Sequence, residues 1–280
     1  MAVTEPLPHP HLSARRFGAR RLPALTDEAL FERTGIRVAF TGRAGGVSAG
    51  AFASLNLGSH VGDDPAAVQE NRVRVLEALG AHGAQLVVPS QVHGDAVVSV
   101  DDAAAVGEAR ARAQEGADAI VASVPDVAVL LCFADCVPVA VASPSGRFAV
   151  VHAGWRGVMN GVAAKAVRQL AAADEPLLGP GAAGGYNVYV GPHIGACCVE
   201  TGADVRERFA ARFGDACLAG ERCVDLLAAL AVGLQEAGIA CERIADAGVC
   251  TACANDEYFS YRASGGTCGR HGAVAYRKAR

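Results

Sequence analysis

Apolar positions in this chain change period along its length, and the changes mark out its elements. Val127 to Phe133 and Val137 to Ala142 are continuous apolar runs, and Arg147 to Val151 leads into a third. Runs this short suit strands buried on both faces better than helices. Ile36 to Thr41 and Asn187 to Val190 give two further short strands, and Leu86 to Val88 and Ala96 to Val100 flank a turn-prone Ser90-Gln91-Val92-His93-Gly94. Helical spacing replaces these runs elsewhere. Asp64-Pro65 opens a helix to about Leu79, and Val158 to Ala173, Ala203 to Phe213 and Asp225 to Ala237 follow the same period. Residues 103 to 115, rich in alanine and arginine, fit either a helix or a mobile connection.

Strands and helices mix without regular alternation, so the pattern predicts an α+β fold rather than a doubly wound sheet. Pro6, Pro8 and Pro10 lack backbone donors, which predicts a frayed tail over the first dozen residues. The division expected is a tail and lead-in over 1–35 and a single catalytic domain over 36–280. Gly42 to Gly50 is a glycine-rich loop, and residues 179–185 are a flexible connection.

Ser143-Pro144-Ser145-Gly146 places Pro and Gly where a type I turn with a left-handed closing residue wants them. A three-residue hairpin loop closed by Ser143 and Arg147 then sets Pro138 opposite His152 and Cys136 opposite Gly154. Cys136 and His152 share a face in that register, about 7–8 Å apart at the backbone. His93, in its turn between apolar strands, is the natural third partner. Two imidazoles and one thiolate suit zinc with a fourth position open, a catalytic arrangement. The same residues also fit a bland reading, with two hydrogen-bonded histidines at strand ends and a small buried thiol.

Composition narrows the classes. The 280 residues carry a net charge of −4, so no general basic field favours nucleic acid, and a small-molecule substrate is the expectation. No apolar stretch nears the ~20 residues of a membrane span. Arg15, Arg16, Arg20 and Arg21 precede no secretory apolar core. A cytoplasmic protein with reduced thiols is expected, its oligomeric state left open. Ten cysteines are too few for a secreted disulfide scaffold.

The segments TGRAGGVSAGAFASLNLGSHVGDD, ENR, SQVHG, ADCVPV, VVHAGWRG, GPHIGACC and YFSYR resemble, in order, the bacterial YfiH family. Its members are also described as laccase-domain or polyphenol oxidase-like, purine nucleoside phosphorylase-like, and peptidoglycan editing factor proteins. The resemblance covers about residues 36 to 277. It implies one domain of two mixed β-sheets flanked by helices, and one catalytic Zn2+ on His93, Cys136 and His152. It further implies phosphorolysis of adenosine, inosine and methylthioadenosine, with adenosine deamination. Two departures concern the C-terminal segment: Ala263 follows Arg262, and Cys268-Gly269-Arg270 stands where Thr-Gly-Arg is expected.

Phosphorolysis needs bidentate cations for phosphate, which nominates Arg43 in the glycine loop, Arg156 beside the hairpin and Arg262. Each also fits a structural ion pair. Gly42 to Gly46 lacks the ending of a Walker A loop, so an ATPase is not expected. Asn56 and Asn71 are candidates for base or ribose, Trp155 for stacking, and Asp135 for general acid–base work or for orienting a histidine. Cys250-x2-Cys253 with Cys268-x2-His271 has structural zinc spacing, whereas the vicinal Cys197-Cys198 is expected to be inert packing. Copper is disfavoured by only eight histidines. A metal-free hydrolase with Cys136 as nucleophile and His152 as base, and a cell-wall editing role, are the other readings.

Overall fold

A computed structural model describes residues 5–279. Along the chain run β1 (Ser13–Phe17), β2 (Leu22–Thr26), α1 (Glu28–Thr34), β3 (Ile36–Thr41), α2 (Pro65–Leu79), β4 (Gln85–Val87) and β5 (Val97–Val100). Next come α3 (Val106–Glu115), β6 (Ala119–Ala122), β7 (Val127–Phe133), β8 (Val137–Ala142), β9 (Phe148–Ala153), α4 (Trp155–Asn160) and α5 (Val162–Leu178). The last part holds β10 (Asn187–Val190), α6 (Ala203–Phe213), β11 (Leu218–Ala219), β12 (Cys223–Val224), α7 (Leu226–Glu236), β13 (Ile244–Asp246) and β14 (His271–Arg277).

Among the described residues two six-stranded sheets form, ordered β1-β2-β3-β14-β7-β4 and β13-β10-β8-β9-β6-β5, with β11 and β12 as a separate two-stranded pair. Most pairs are antiparallel, while β4 with β7, β5 with β6 and β10 with β13 are parallel, so both sheets are mixed. This is the α+β arrangement of two mixed sheets flanked by helices.

Side-chain alternation explains the layering. On β7, Val127, Val129, Leu131 and Phe133 enter the core between the sheets, while Ala128, Leu130 and Cys132 pack on the side of α2. On β9, Phe148 and Val150 face the same inter-sheet core, and Ala149, Val151 and Ala153 face α5 and α7. Each inner strand is thus apolar on both faces, which is why its sequence reads as a continuous run. Burial of this kind contributes about 25 cal/mol per Å² of apolar surface.

The hairpin forms in the expected register, with Pro138 opposite His152 and Val137 opposite Ala153. The Ser143 N–H donates to the Arg147 carbonyl, and Gly146 adopts φ 89°, a left-handed position that glycine occupies without steric cost.

Three local expectations need correction. The first dozen residues are not frayed over the described part: Leu7 is buried, and the Pro8 carbonyl accepts from Asn187 and Arg243. The lead-in is likewise part of the first sheet, because β1 and β2 extend it beyond β3. The helix expected from Val158 begins at Trp155 and breaks at Gly161, whose φ of 72° interrupts the ladder before α5 restarts. Residues 106–115 take the helical alternative, with Val106, Ala109 and Ala113 buried on one face.

Candidate metal centre

The chain crosses from the first sheet to the second between β7 and β8, and the short connection carries Asp135 and Cys136. His152 lies at the end of β9, on the parity of Phe148 and Val150, so its ring enters the space between the sheets against Phe133. His93 arrives from the loop joining β4 to β5 in a left-handed conformation, φ 59°. One donor atom from each of His93, Cys136 and His152 lies within 4.8 Å of the others. Gly154 leaves room for this convergence: a Cβ there would sit 3.0 Å from the His93 ring and 3.1 Å from the Cys136 sulfur.

Asp118, wholly buried just before β6, organises the centre. Its Oδ1 accepts from His152 Nδ1 at 2.7 Å and from the His93 N–H at 3.0 Å, and its Oδ2 accepts from the N–H groups of Gly94 at 2.7 Å and Val92 at 3.3 Å. All four acceptor positions of the carboxylate are engaged. One residue therefore fixes both the His93 loop and the tautomer of His152, directing Nε2 into the site. Gln91 adds a second clamp, exchanging two 2.8 Å bonds with the backbone of Cys132.

Burial would raise the Asp118 carboxyl, but the hydrogen bond and charge of His152 and the two backbone donors hold it below its ordinary value. Burial also opposes ionisation of Cys136, yet the charge and hydrogen bonds of His152 and His93 bring its thiol down to about 6. The reciprocal effect raises His152 above its usual value, against the desolvation that would lower it. A thiolate held between two imidazoles is the form that ligates a divalent ion.

These groups form one wall of a cavity of about 430 Å3, within the range of small-molecule sites. Ile194, Val199, Leu226 and Trp155 supply an apolar side, and His60, Arg262 and Arg270 a polar one. Burial, then the charges of Arg270 and Arg72, hold the His60 imidazole below its ordinary value.

The remaining nominated residues divide. Asp135 and Arg262 line the cavity, but Asp135 orients no histidine. Its carboxylate accepts from Thr251 Oγ1 at 2.8 Å and from the Arg262 N–H at 2.7 Å, so Asp118 holds the role considered for it. Arg262 directs its guanidinium to the carbonyls of Cys198 and Glu200. Arg43 does not line the cavity: its Nε and Nη1 donate to the carbonyls of Ala53 and Asn255, and its guanidinium stacks on Phe259. Arg156 lies over the Trp155 ring at 4.4 Å and also does not line the cavity. Asn56 and Asn71 are wholly buried and bind the backbone around the glycine loop, not a pocket.

The Cys250-Cys253-Cys268-His271 set, whose spacing alone suited structural zinc, does not assemble. Cys268 is buried beside Arg270, and His271 points into the core between Phe133 and Tyr258. Cys250 and Cys253 instead meet Cys197 and Cys198. Sequence reasoning missed Asp118, His60, Gln91 and Arg270 as site residues. An aspartate directly before the apolar run Ala119 to Ala122 was the available signal for Asp118.

A family model described as multi-copper polyphenol oxidoreductase laccase matches residues 37–278. Purine nucleoside phosphorylase PA4543 of Pseudomonas aeruginosa is 35% identical over 86% of this chain and 93% of its own length. Purine nucleoside phosphorylase YlmD of Geobacillus stearothermophilus is 34% identical over 82% of this chain and 86% of its own. The crystal structure of that YlmD superposes with a TM-score of 0.80 at 31% identity, covering 95% of this chain and all of the other. That of the Bacillus licheniformis hypothetical protein YfiH gives a TM-score of 0.79 at 28% identity, over 91% and 96%.

Proposed function

The chain belongs to the multi-copper polyphenol oxidoreductase laccase family, and from its donor set we propose a zinc-dependent purine nucleoside phosphorylase that also deaminates adenosine. The observation that carries this is the convergence of His93, Cys136 and His152 on one wall of a cavity whose other walls are apolar and cationic. Two imidazoles and one thiolate match zinc, with a fourth position open to a reactant. The names of the relatives support the nucleoside class.

Zinc held there supplies Lewis-acid polarisation of whatever occupies the open position. The protein's own groups do the rest. Ile194, Val199, Leu226 and Trp155 offer an apolar surface to the purine, Trp155 with one face already covered by Arg156. Arg270 Nη1 is committed to the carbonyls of Cys268 and Gly269. Its Nε and Nη2, with no acceptor among the described residues, are left to grip phosphate, and Arg262 borders the same side. In phosphorolysis a phosphate oxygen bonds to the sugar C1′ as the C1′–N9 bond breaks, and the purine leaves with the bonding pair and takes up a proton. His60, as a neutral imidazole at the cavity wall, is placed to relay that proton. The reading includes a cytoplasmic setting, which suits ten free thiols.

A second reading rests on the Asp118–His152–Cys136 chain, which has the order of an orienter, a base and a nucleophile in a metal-free hydrolase. His93 separates the two. A metal enzyme needs its imidazole, whereas a thiol hydrolase does not. Zinc-loaded protein incubated with adenosine and inorganic phosphate is expected to give adenine and ribose 1-phosphate, with inosine and hypoxanthine from deamination. His93→Ala is expected to end both. Absence of any base release or inosine from the zinc-loaded wild type would overturn the proposal.

A further inference from the structure

Four of the ten cysteines meet at a place the pocket chemistry does not use. The sulfurs of Cys197, Cys198, Cys250 and Cys253 all lie within 4.8 Å of one another. Two of the separations are 3.7 Å, Cys197 to Cys253, and 3.5 Å, Cys198 to Cys253. A disulfide needs about 2.05 Å. Four thiolates at about 2.3 Å around one tetrahedral zinc stand about 3.8 Å from each other, close to the two Cys253 separations, and all four sulfurs lie within the range a small closure reaches.

The backbone is arranged to present sulfur. Cys197 and Cys198 lie on a tight turn in which the Cys198 N–H donates to the Gly195 carbonyl, and Cys250 and Cys253 on one closed by the Ala254 N–H to the Cys250 carbonyl. His193 and Cys250 form a parallel bridge that sets the turns side by side. The Gly195 N–H donates to the Cys250 sulfur at 3.2 Å. A Cβ on Gly195 would stand 3.2 Å from the Cys250 Cβ and 3.3 Å from the Cys197 sulfur, so a side chain there would push the cluster apart by a few tenths of an ångström.

A fold-level need accompanies the geometry. Residues 247–270, between β13 and β14, lie outside any helix or regular strand, longer than compact domains leave unsupported. That loop carries Thr251 and Arg262, which bind the two oxygens of Asp135 in the cavity wall, and it supplies Tyr261, Arg262 and Arg270 to the cavity itself. The partnering turn at 195–198 stands between Ile194 and Val199, which line the same cavity.

We propose that Cys197, Cys198, Cys250 and Cys253 form a second metal site, a closed tetrathiolate that binds structural zinc and fastens the 247–270 loop to the 193–200 segment. Zinc displaces the thiol protons on binding, so the cluster gains the ion and releases protons without any redox step. The site holds the cavity wall and touches no substrate.

Metal counting on protein purified reduced and without chelator tests this independently of whether a nucleoside is turned over. The wild type is expected to hold two zinc equivalents, Cys197→Ser/Cys253→Ser one, and His93→Ala/Cys136→Ala the other one. Cobalt substitution is expected to give the strong thiolate charge-transfer absorption of four sulfurs in the pocket variant, and only that of a single thiolate in the cluster variant. Should the cluster variant fail to fold, alkylation of the wild type replaces it: zinc is expected to protect the exposed Cys197 and Cys253, and a strong chelator to expose them. One zinc equivalent that disappears with Cys136 alone, equal alkylation with and without zinc, or an intact mass showing these four cysteines in disulfides would each overturn the site.

Discussion

The His93–Cys136–His152 centre and the four-cysteine cluster are built from different material. The first hangs on strand ends: Cys136 precedes β8, His152 is the penultimate residue of β9, and Asp118, just before β6, holds two of its three members. The second hangs on two loops joined by one bridge, with Cys197 and Cys253 exposed. The first mixes nitrogen and sulfur and leaves a corner open into a cavity; the second offers four sulfurs and no corner. A rigid frame with an incomplete donor set suits chemistry, and a complete donor set on irregular backbone suits fastening.

The comparison breaks most sharply at Cys136. Cys136→Ser is expected to bring nucleoside turnover to background and remove one zinc equivalent, while Cys197→Ser/Cys253→Ser removes the other; assays of both on one preparation check it. Asp118→Asn probes the carboxylate that only the first region possesses. It is expected to lower metal affinity or turnover roughly 10- to 100-fold, measured by chelator competition, with the cluster ion unaffected.

Arg43→Ala sharpens the comparison from the loop side. Arg43 clamps Asn255, in the loop that carries the cluster cysteines, at 2.5 Å. Its loss is expected to destabilise the protein by about 1–3 kcal/mol in denaturant unfolding, with KM for phosphate unchanged.

A pH series separates acid release of metal from acid unfolding of the core. Burial depresses His271 from 6.5 to about 3 in the folded chain, and the unfolded chain takes up the proton first. Stability is therefore expected to fall as pH drops from about 6.5 toward 3, with a slope near 1.4 kcal/mol per unit from this group. His271→Leu is expected to flatten that slope in urea titrations at several pH values, whatever its effect at neutral pH.

Particular residues show how far the chain could be read unaided. The runs Val127 to Phe133 and Val137 to Ala142 coincide with β7 and β8, and Ser143 to Gly146 fixed the hairpin register that sets Pro138 against His152. These are short-range matters, settled by side-chain period and turn conformation between near neighbours. Arg43 and Asp135 show the opposite case. Nothing in their own neighbourhood says that one clamps a carbonyl 212 positions away or that the other is held by Thr251 and Arg262.

The sequence alone therefore determined the inner strands β3, β7, β8, β9 and β10, most helices, the hairpin and, through resemblance, the three residues of the first centre, but not β1, β2 or β6. Only the tertiary structure decided that Asp118 organises that centre and that Cys250 and Cys253 meet Cys197 and Cys198 rather than Cys268 and His271. The physical reason is that a period or a turn is an interaction between near neighbours. A donor set is a meeting in space of segments that the fold brings together across 52 to 56 positions, as between Cys197 or Cys198 and the two later cysteines.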